Sequence, residues 1–378
     1  MPIQLSAIFK FNRLVPIGLL LVALGVPLVA TSGSGLNALS RSLSTNRVLP
    51  GDSSSSPSGL GIASGFNGLS QTQLQERMAA IRASGATWVR YDLSWSIVQQ
   101  QGPTSYDWSA SDRITSAARA EGLNVVMAAG LTPPWQRPAG CTQGERCRPT
   151  DPQAYITFVS AAVKHYQPYG VHTWEIWNEP NIAFRFAPET EPAMYVEMLK
   201  GAYREIKAVD PKSIVIAAST APAASEHGDL RPDDFLRAMY DLGAQGSFDA
   251  IAVHPYTYPL TPAESKPDDA WGQMEEMHQI MDMHGDGSKK IWITELGAPT
   301  FGRGGTNDRY ITEAKQAQTI TEAVEYLKQE SWAGPIMWYN WQDTATGVAS
   351  SENYYGLLRQ DGSHKPAYDA FMKAASGK

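Results

Sequence analysis

A chain of 378 residues with a hydrophobic fraction of 43% is long enough for one large domain or two ordinary ones, and apolar enough for a substantial core. A net charge of -7 without a clustered Lys/Arg stripe argues against a nucleic-acid partner. Eleven Trp and sixteen Tyr are an unusual endowment, one that suits stacking on the apolar faces of sugar rings as well as filling a core.

Lys10 and Arg13 precede an apolar run over 14–30, and the small residues Ala30, Ser32 and Gly33 close it. That run lies between the signal-peptide core of about 7–15 residues and the roughly 18 residues of a spanning helix. Pro16, Gly18, Gly25 and Pro27 make a poor permanent helix. Residues 1–32 are therefore expected to be a cleaved export signal, with an uncleaved membrane anchor as the alternative. Residues 33–58 form a Ser/Gly-rich stretch expected to be a disordered linker. The expected location is secreted or cell-envelope associated, with membrane contact only through the N-terminal segment if it is retained.

Beyond residue 59, short β-rich runs alternate with amphipathic helical segments. The strand candidates are 60–66, 87–95, 124–131, 171–177, 213–219, 250–256, 290–295 and 335–341. Between them, Leu74, Met78 and Ile81 recur at helical spacing, and similar patterns run over 151–166, 191–209 and 312–328. Ser70, Asp151 and Thr312 suit helix N-caps, and Gly85 and Gly122 stand where C-caps belong. Strict alternation predicts a parallel sheet, and eight strands fit a closed (β/α)8 TIM barrel over 59–378. An open doubly wound sheet would carry a GxGxxG turn after its first strand, and "GLGIASGFNG" misses that spacing. Cys141 and Cys147, the two cysteines, are expected to form a disulfide in an oxidising compartment. No metal is expected, because the thiols lack Cys or His companions and no HExxH occurs.

The stretch "WEIWNEPNIAF" breaks a buried strand with Asn178, Glu179 and Pro180, residues a strand interior disfavours. Barrel enzymes gather reactive groups at the carboxyl ends of strands. Glu179 follows strand four and Glu295 ends strand seven in "IWITELGAP", so barrel closure would bring two carboxylates to one rim. A facing carboxylate pair is the minimal equipment for glycoside hydrolysis.

The motifs "WNEP", "ITELG", "WVRYDLSW", "TPPW" and "VHPYTY" fall at separate strand ends, and with them the sequence from Leu60 onward resembles the retaining glycosidases of glycoside hydrolase clan A. Within the clan the sequence most resembles family 39 and its bacterial exopolysaccharide-hydrolase relatives, and next the cellulase-like family 5. The resemblance implies a hydrolase acting on a polysaccharide or oligosaccharide by double displacement; a monomer without a cofactor is expected. Glu179 would be the acid/base, its pKa raised by burial and by Glu295. Glu295 would be the nucleophile, held by Tyr256 and Arg90, and Asn178 would bind the sugar 2-hydroxyl. Glu175, on the same strand face as Glu179 but lower, is expected to be a buried partner of Arg90. His254 is a further substrate-binding candidate. Trp135, Trp338 and Trp341 are candidate sugar platforms; strand alternation turns Trp338 and Trp341 opposite ways, so one should stack on substrate and the other pack outward, with Trp338 favoured for the site. A catalytically inactive carbohydrate-binding barrel and a transglycosidase remodelling a cell-surface glycan are the alternatives.

Overall fold

The structure, a computed structural model, describes residues 59–300, 310–347 and 350–377. The expected export signal and linker lie outside the described residues. Among the described residues, no helix is long and apolar enough to cross a membrane.

Eight strands form a closed, all-parallel barrel in chain order: β1 (Leu60–Ala63), β2 (Trp88–Ser94), β3 (Asn124–Gly130), β4 (Thr173–Ile176), β5 (Ile214–Thr220), β6 (Ala250–Val253), β7 (Lys290–Leu296) and β8 (Ala333–Tyr339). The expected (β/α)8 barrel is what the chain adopts. Its outer ring comprises α1 (Gln71–Ala83), the single turn α2 (Trp95–Val98), α3 (Ser109–Ala120), α4 (Pro152–Tyr166), α5 (Pro192–Val209), α6 (Pro232–Asp241), α7 (Ala270–Met283), α8 (Glu313–Leu327) and α9 (Pro366–Ala375). The helices start where the caps predict. Ser70 closes a capping box with Gln73, Asp151 accepts from the Gln153 amide, and Thr312 accepts from the Lys315 amide. Gly85 and Gly122 follow α1 and α3 with φ of 90° and 71°, the left-handed geometry that ends a helix without a Cβ penalty.

Two apolar layers result from strand alternation. The outward faces and the helices share one large core, into which α1 sends Leu74, Met78 and Ile81. Inside the barrel, Ala63, Val126, Ile216, Ala250, Ala252, Trp292 and Met337 fill the lower part. Gly61 makes room there: a Cβ on it would collide with the Met337 sulfur and with Trp88. Above this plug the interior turns polar, with Arg90 and Glu175 buried on β2 and β4.

Candidate active site

Strand β4 ends at Ile176, paired with Ala129 of β3. The next residues leave extended geometry: Trp177 has φ of 67° and Glu179 φ of 52°. Left-handed backbone at a non-glycine residue costs about 1–3 kcal/mol and is held only where the surroundings over-determine it. Here the Trp177 amide donates to the Ala129 carbonyl (3.0 Å) and the Glu179 amide to the Ser219 carbonyl (3.2 Å), so the neighbouring strands β3 and β5 hold the turn. The polar break after Trp177 is the chain swinging Asn178 and Glu179 over the barrel mouth.

One guanidinium organises the floor. Arg90 donates through Nε (2.9 Å) and Nη2 (2.6 Å) to the two Glu175 oxygens, a bidentate pair deep in the barrel. Its Nη1 donates to Glu295 (2.6 Å) and its Nη2 also to the Asn178 carbonyl oxygen (2.6 Å). Burial alone would lower the Arg90 pKa, but Glu175 and Glu295 outweigh it and raise it well above the usual value. Arg90 thus serves both Glu175 and the site, which the sequence left as alternatives. Because Arg90 occupies the Asn178 oxygen, the Asn178 amide nitrogen is the end free to donate into the cleft.

Tyr256 donates its hydroxyl to the other Glu295 oxygen (2.8 Å). Burial first, then the Glu295 charge, push the Tyr256 pKa far up, so this group remains a donor. His254 is fully buried on the rim of β6, with Nδ1 2.9 Å from Glu179, Nε2 3.1 Å from the Thr294 hydroxyl, and Nδ1 3.9 Å from Glu295. It sits between the two carboxylates. One ligand atom from each of Glu179, His254 and Glu295 lies within 4.8 Å of the others, a donor spacing that could also accommodate a cation. Two guanidiniums already supply the positive charge there, Arg90 on Glu295 and Arg185 on Glu179, and this opposes a metal between them.

The electrostatics of Glu179 differ from the expectation. Burial would push its pKa up, but the Arg185 guanidinium, 2.9 Å away, together with His254 and Arg90 outweighs burial and holds the carboxyl at about 2. Glu179 is therefore ionised in the substrate-free protein. The correction has one main cause, the partner Arg185 from the loop after β4, which no periodic signal marks.

The tryptophans are corrected as well. Trp338 is buried against the outer core with its indole donating to the Tyr355 carbonyl (3.1 Å), and Trp341 packs edge-on against Tyr368 of α9. Neither is a sugar platform. Alternation does not carry through to Trp341, because β8 already ends at Tyr339. Trp135 is half-buried, its indole bonded to the Gln99 carbonyl (2.8 Å) and edge-on to Trp95, so its contacts are with the outer core. A tyrosine wall stands in their place: Tyr256, Tyr258 and Tyr355 meet edge to face at 5.9–6.2 Å, and Tyr339 meets Tyr355 at 5.3 Å. Gly297, just past Glu295, lets this wall close in, since a Cβ would strike the Tyr339 carbonyl and the Tyr355 ring. The buried pair Lys365–Asp343 (2.8 Å) fastens the loop that carries Tyr355.

Two carboxylates also escaped the sequence reading. Asp92, two residues along β2 from Arg90 and on the same strand face, is open to solvent in the mouth; the period of two was the signal that could have found it. Glu352, from a single 3₁₀ turn after β8, has its pKa raised by burial and by Glu295 and Glu179.

Cys141 and Cys147 form a disulfide. The loop they close is short, so replacing both by Ser should cost only roughly 2 kcal/mol and leave the barrel folded. Thermal melting checks this: a fall of a few degrees is expected, and loss of the cooperative transition would show that the loop supports the whole barrel.

Residues 157–371, more than half of the chain, match the family described as glycosyl hydrolase catalytic core. Among solved structures, a family 39 glycoside hydrolase from the gut symbiont Bacteroides cellulosilyticus WH2 aligns with a TM-score of 0.67 and 22% identity, over 85% of this chain and 64% of that one. The GH5_18 protein of Streptomyces cattleya, in complex with GlcNAc, aligns at 0.63 and 18% identity over 86% and 80%. Xylanase 10B from Thermotoga maritima aligns at 0.58 and 16% identity over 85% and 95%. Beta-amylases of Medicago sativa and Trifolium repens share 36% identity over 52 residues, a match covering 14% of this chain and 10% of those proteins. The chain belongs to the glycosyl hydrolase catalytic core family.

Proposed function

We propose that the chain is a retaining glycosidase that cleaves O-glycosidic bonds of a polysaccharide or oligosaccharide, with Glu295 as nucleophile and Glu179 as acid/base. The observation that carries this reading is the spacing of the pair: carboxylate oxygens of Glu179 and Glu295 lie within 4.8 Å of each other. Retaining enzymes hold their carboxyl groups about 5–5.5 Å apart, whereas inverting enzymes need about 6.5–9.5 Å to admit a water.

The surroundings support this division of roles. Glu295 accepts from Arg90 and Tyr256, two donors that fix its oxygens at the cleft. It attacks the anomeric carbon as the bond to the leaving oxygen breaks, and Glu179 delivers its proton to that oxygen. Water then donates a proton back to Glu179 and attacks the same carbon, releasing Glu295 and restoring the first configuration. The Asn178 amide nitrogen is positioned to bind the sugar 2-hydroxyl. Since Arg185 holds Glu179 ionised without substrate, the cycle requires that contact to loosen as the leaving group enters. We place the protein outside the cytoplasm and acting as a monomer. The export-type sequence over 1–32 and the disulfide support the location, and one barrel supplying every reacting group supports the single copy.

Proton NMR of the first-formed product, from whichever member of a polysaccharide panel is cleaved, tests the mechanism. The anomeric configuration of the substrate should be retained before mutarotation. Initial inversion would overturn the double displacement.

A further inference from the structure

Arg185 and Arg146, from the loops after β4 and β3, lie beside Glu179, whose charge acts on both. Because Glu179 meets the leaving oxygen, groups beside it border the aglycone. Arg185 bonds Glu179 while 38% of its side chain remains exposed. Arg146 comes from the disulfide loop, and its guanidinium carbon lies 4.6 Å over the Phe184 ring, with that of Arg185 5.8 Å from the same ring. Phe184 is itself 42% exposed.

Backbone bonds hold this group in place. The Ala187 amide donates to the Arg146 carbonyl (3.0 Å) and the Arg148 amide to the Ala187 carbonyl (2.9 Å), joining the loops after β3 and β4. The Thr132 amide donates to the Glu145 carbonyl (2.7 Å), and the disulfide closes the segment that carries Arg146. The neighbouring Arg148 is occupied by Glu191 (2.9 Å) and the Glu189 carbonyl (2.8 Å). Among the described residues, Arg146 makes no ion pair. Burial and then the Arg185 charge lower its pKa, the mark of two like charges held together. An anion between them would relieve that repulsion, and a guanidinium fork matches a planar carboxylate.

We infer that Arg185, Arg146 and Phe184 form an aglycone-side subsite for a carboxylate-bearing sugar, whose charge draws Arg185 from Glu179 so that Glu179 can take up its proton. This rests on the glycosidase reading and names the substrate class for it. Phe184 supports the two guanidiniums over its ring, and they take the carboxylate. The same binding event that places the leaving group would thus ready the acid.

Calorimetry with Glu295→Gln protein, which does not consume its ligand, tests this. The probes are oligogalacturonate, oligoglucuronate and alginate-derived oligouronate, each beside its carboxyl-reduced neutral counterpart. At least one acidic probe should bind about 10–100-fold tighter than its reduced form, as a charge-assisted contact allows. Added salt should shrink the advantage. In the Arg146→Gln/Arg185→Gln double variant the acidic and reduced forms should bind alike. Carbon NMR of the labelled Glu179 carboxyl should show it titrating at higher pH once the acidic probe is bound. Equal affinity for acidic and reduced probes, no binding of any oligouronate, or an advantage surviving in the double variant would overturn the subsite. Preference for sulfated oligosaccharides alone would overturn the carboxylate class. Glu295-dependent cleavage of a neutral glycan alongside any of these would leave the glycosidase reading standing. Absence of Glu295-dependent cleavage across the panel would overturn that reading itself.

Discussion

Glu295→Ala should abolish cleavage for every leaving group, whereas Glu179→Ala should slow natural substrates by about 10²–10⁴-fold and spare activated ones. The difference follows from position. Glu295 is fixed by Arg90 (2.6 Å) and Tyr256 (2.8 Å), one donor on each of its oxygens. A good aryl leaving group needs little protonation, so the first step survives without Glu179 and the glycosyl-enzyme accumulates. Azide then reads the geometry. With Glu295→Ala it enters from the vacated side and gives a glycosyl azide of inverted configuration; with Glu179→Ala it attacks the intermediate and gives a retained one. Swapped stereochemistry between the two variants would reverse both assignments.

Arg90→Met should cost about 3–5 kcal/mol of stability, because it strands Glu175 as an unpaired buried charge. Glu175 is wholly buried, and its remaining side-chain partner is the Ser219 hydroxyl. Adding Glu175→Gln removes that charge and should recover much of the loss in urea denaturation. Activity should not return with it. Glu295 and Asn178 would still lack the Arg90 donor, and a charge-assisted hydrogen bond of about 1.5–3 kcal/mol implies a deficit of at least about tenfold. Recovery of both stability and turnover in the double variant would show that Arg90 serves the barrel alone. Failure to recover stability would show that Glu175 is not its main dependent.

These expectations draw unequally on sequence and on structure. The order of eight strands and their helices was legible, because burial on one face imposes a period of two or 3.6 on adjacent residues. The positions of Glu179 and Glu295 were legible for a related reason. A polar residue that interrupts such a period at a strand end has few structural explanations, and barrel closure brings strand ends together whatever the loops do. The Cys141–Cys147 bond needed only proximity in sequence and an oxidising setting. Tertiary structure alone decided the rest. Alternation says that Met337 and Trp338 point oppositely but not which points inward; that phase is set across the seam with β1, where Gly61 lies opposite Met337 and leaves it room inside. Trp338 is therefore turned outward, and the site wall comes from Tyr339 and Tyr355. The ionisation of Glu179 was likewise hidden. It depends on Arg185, six residues along an aperiodic loop, and on His254 from β6, and Coulomb interactions follow distance in space, which loop sequence does not encode.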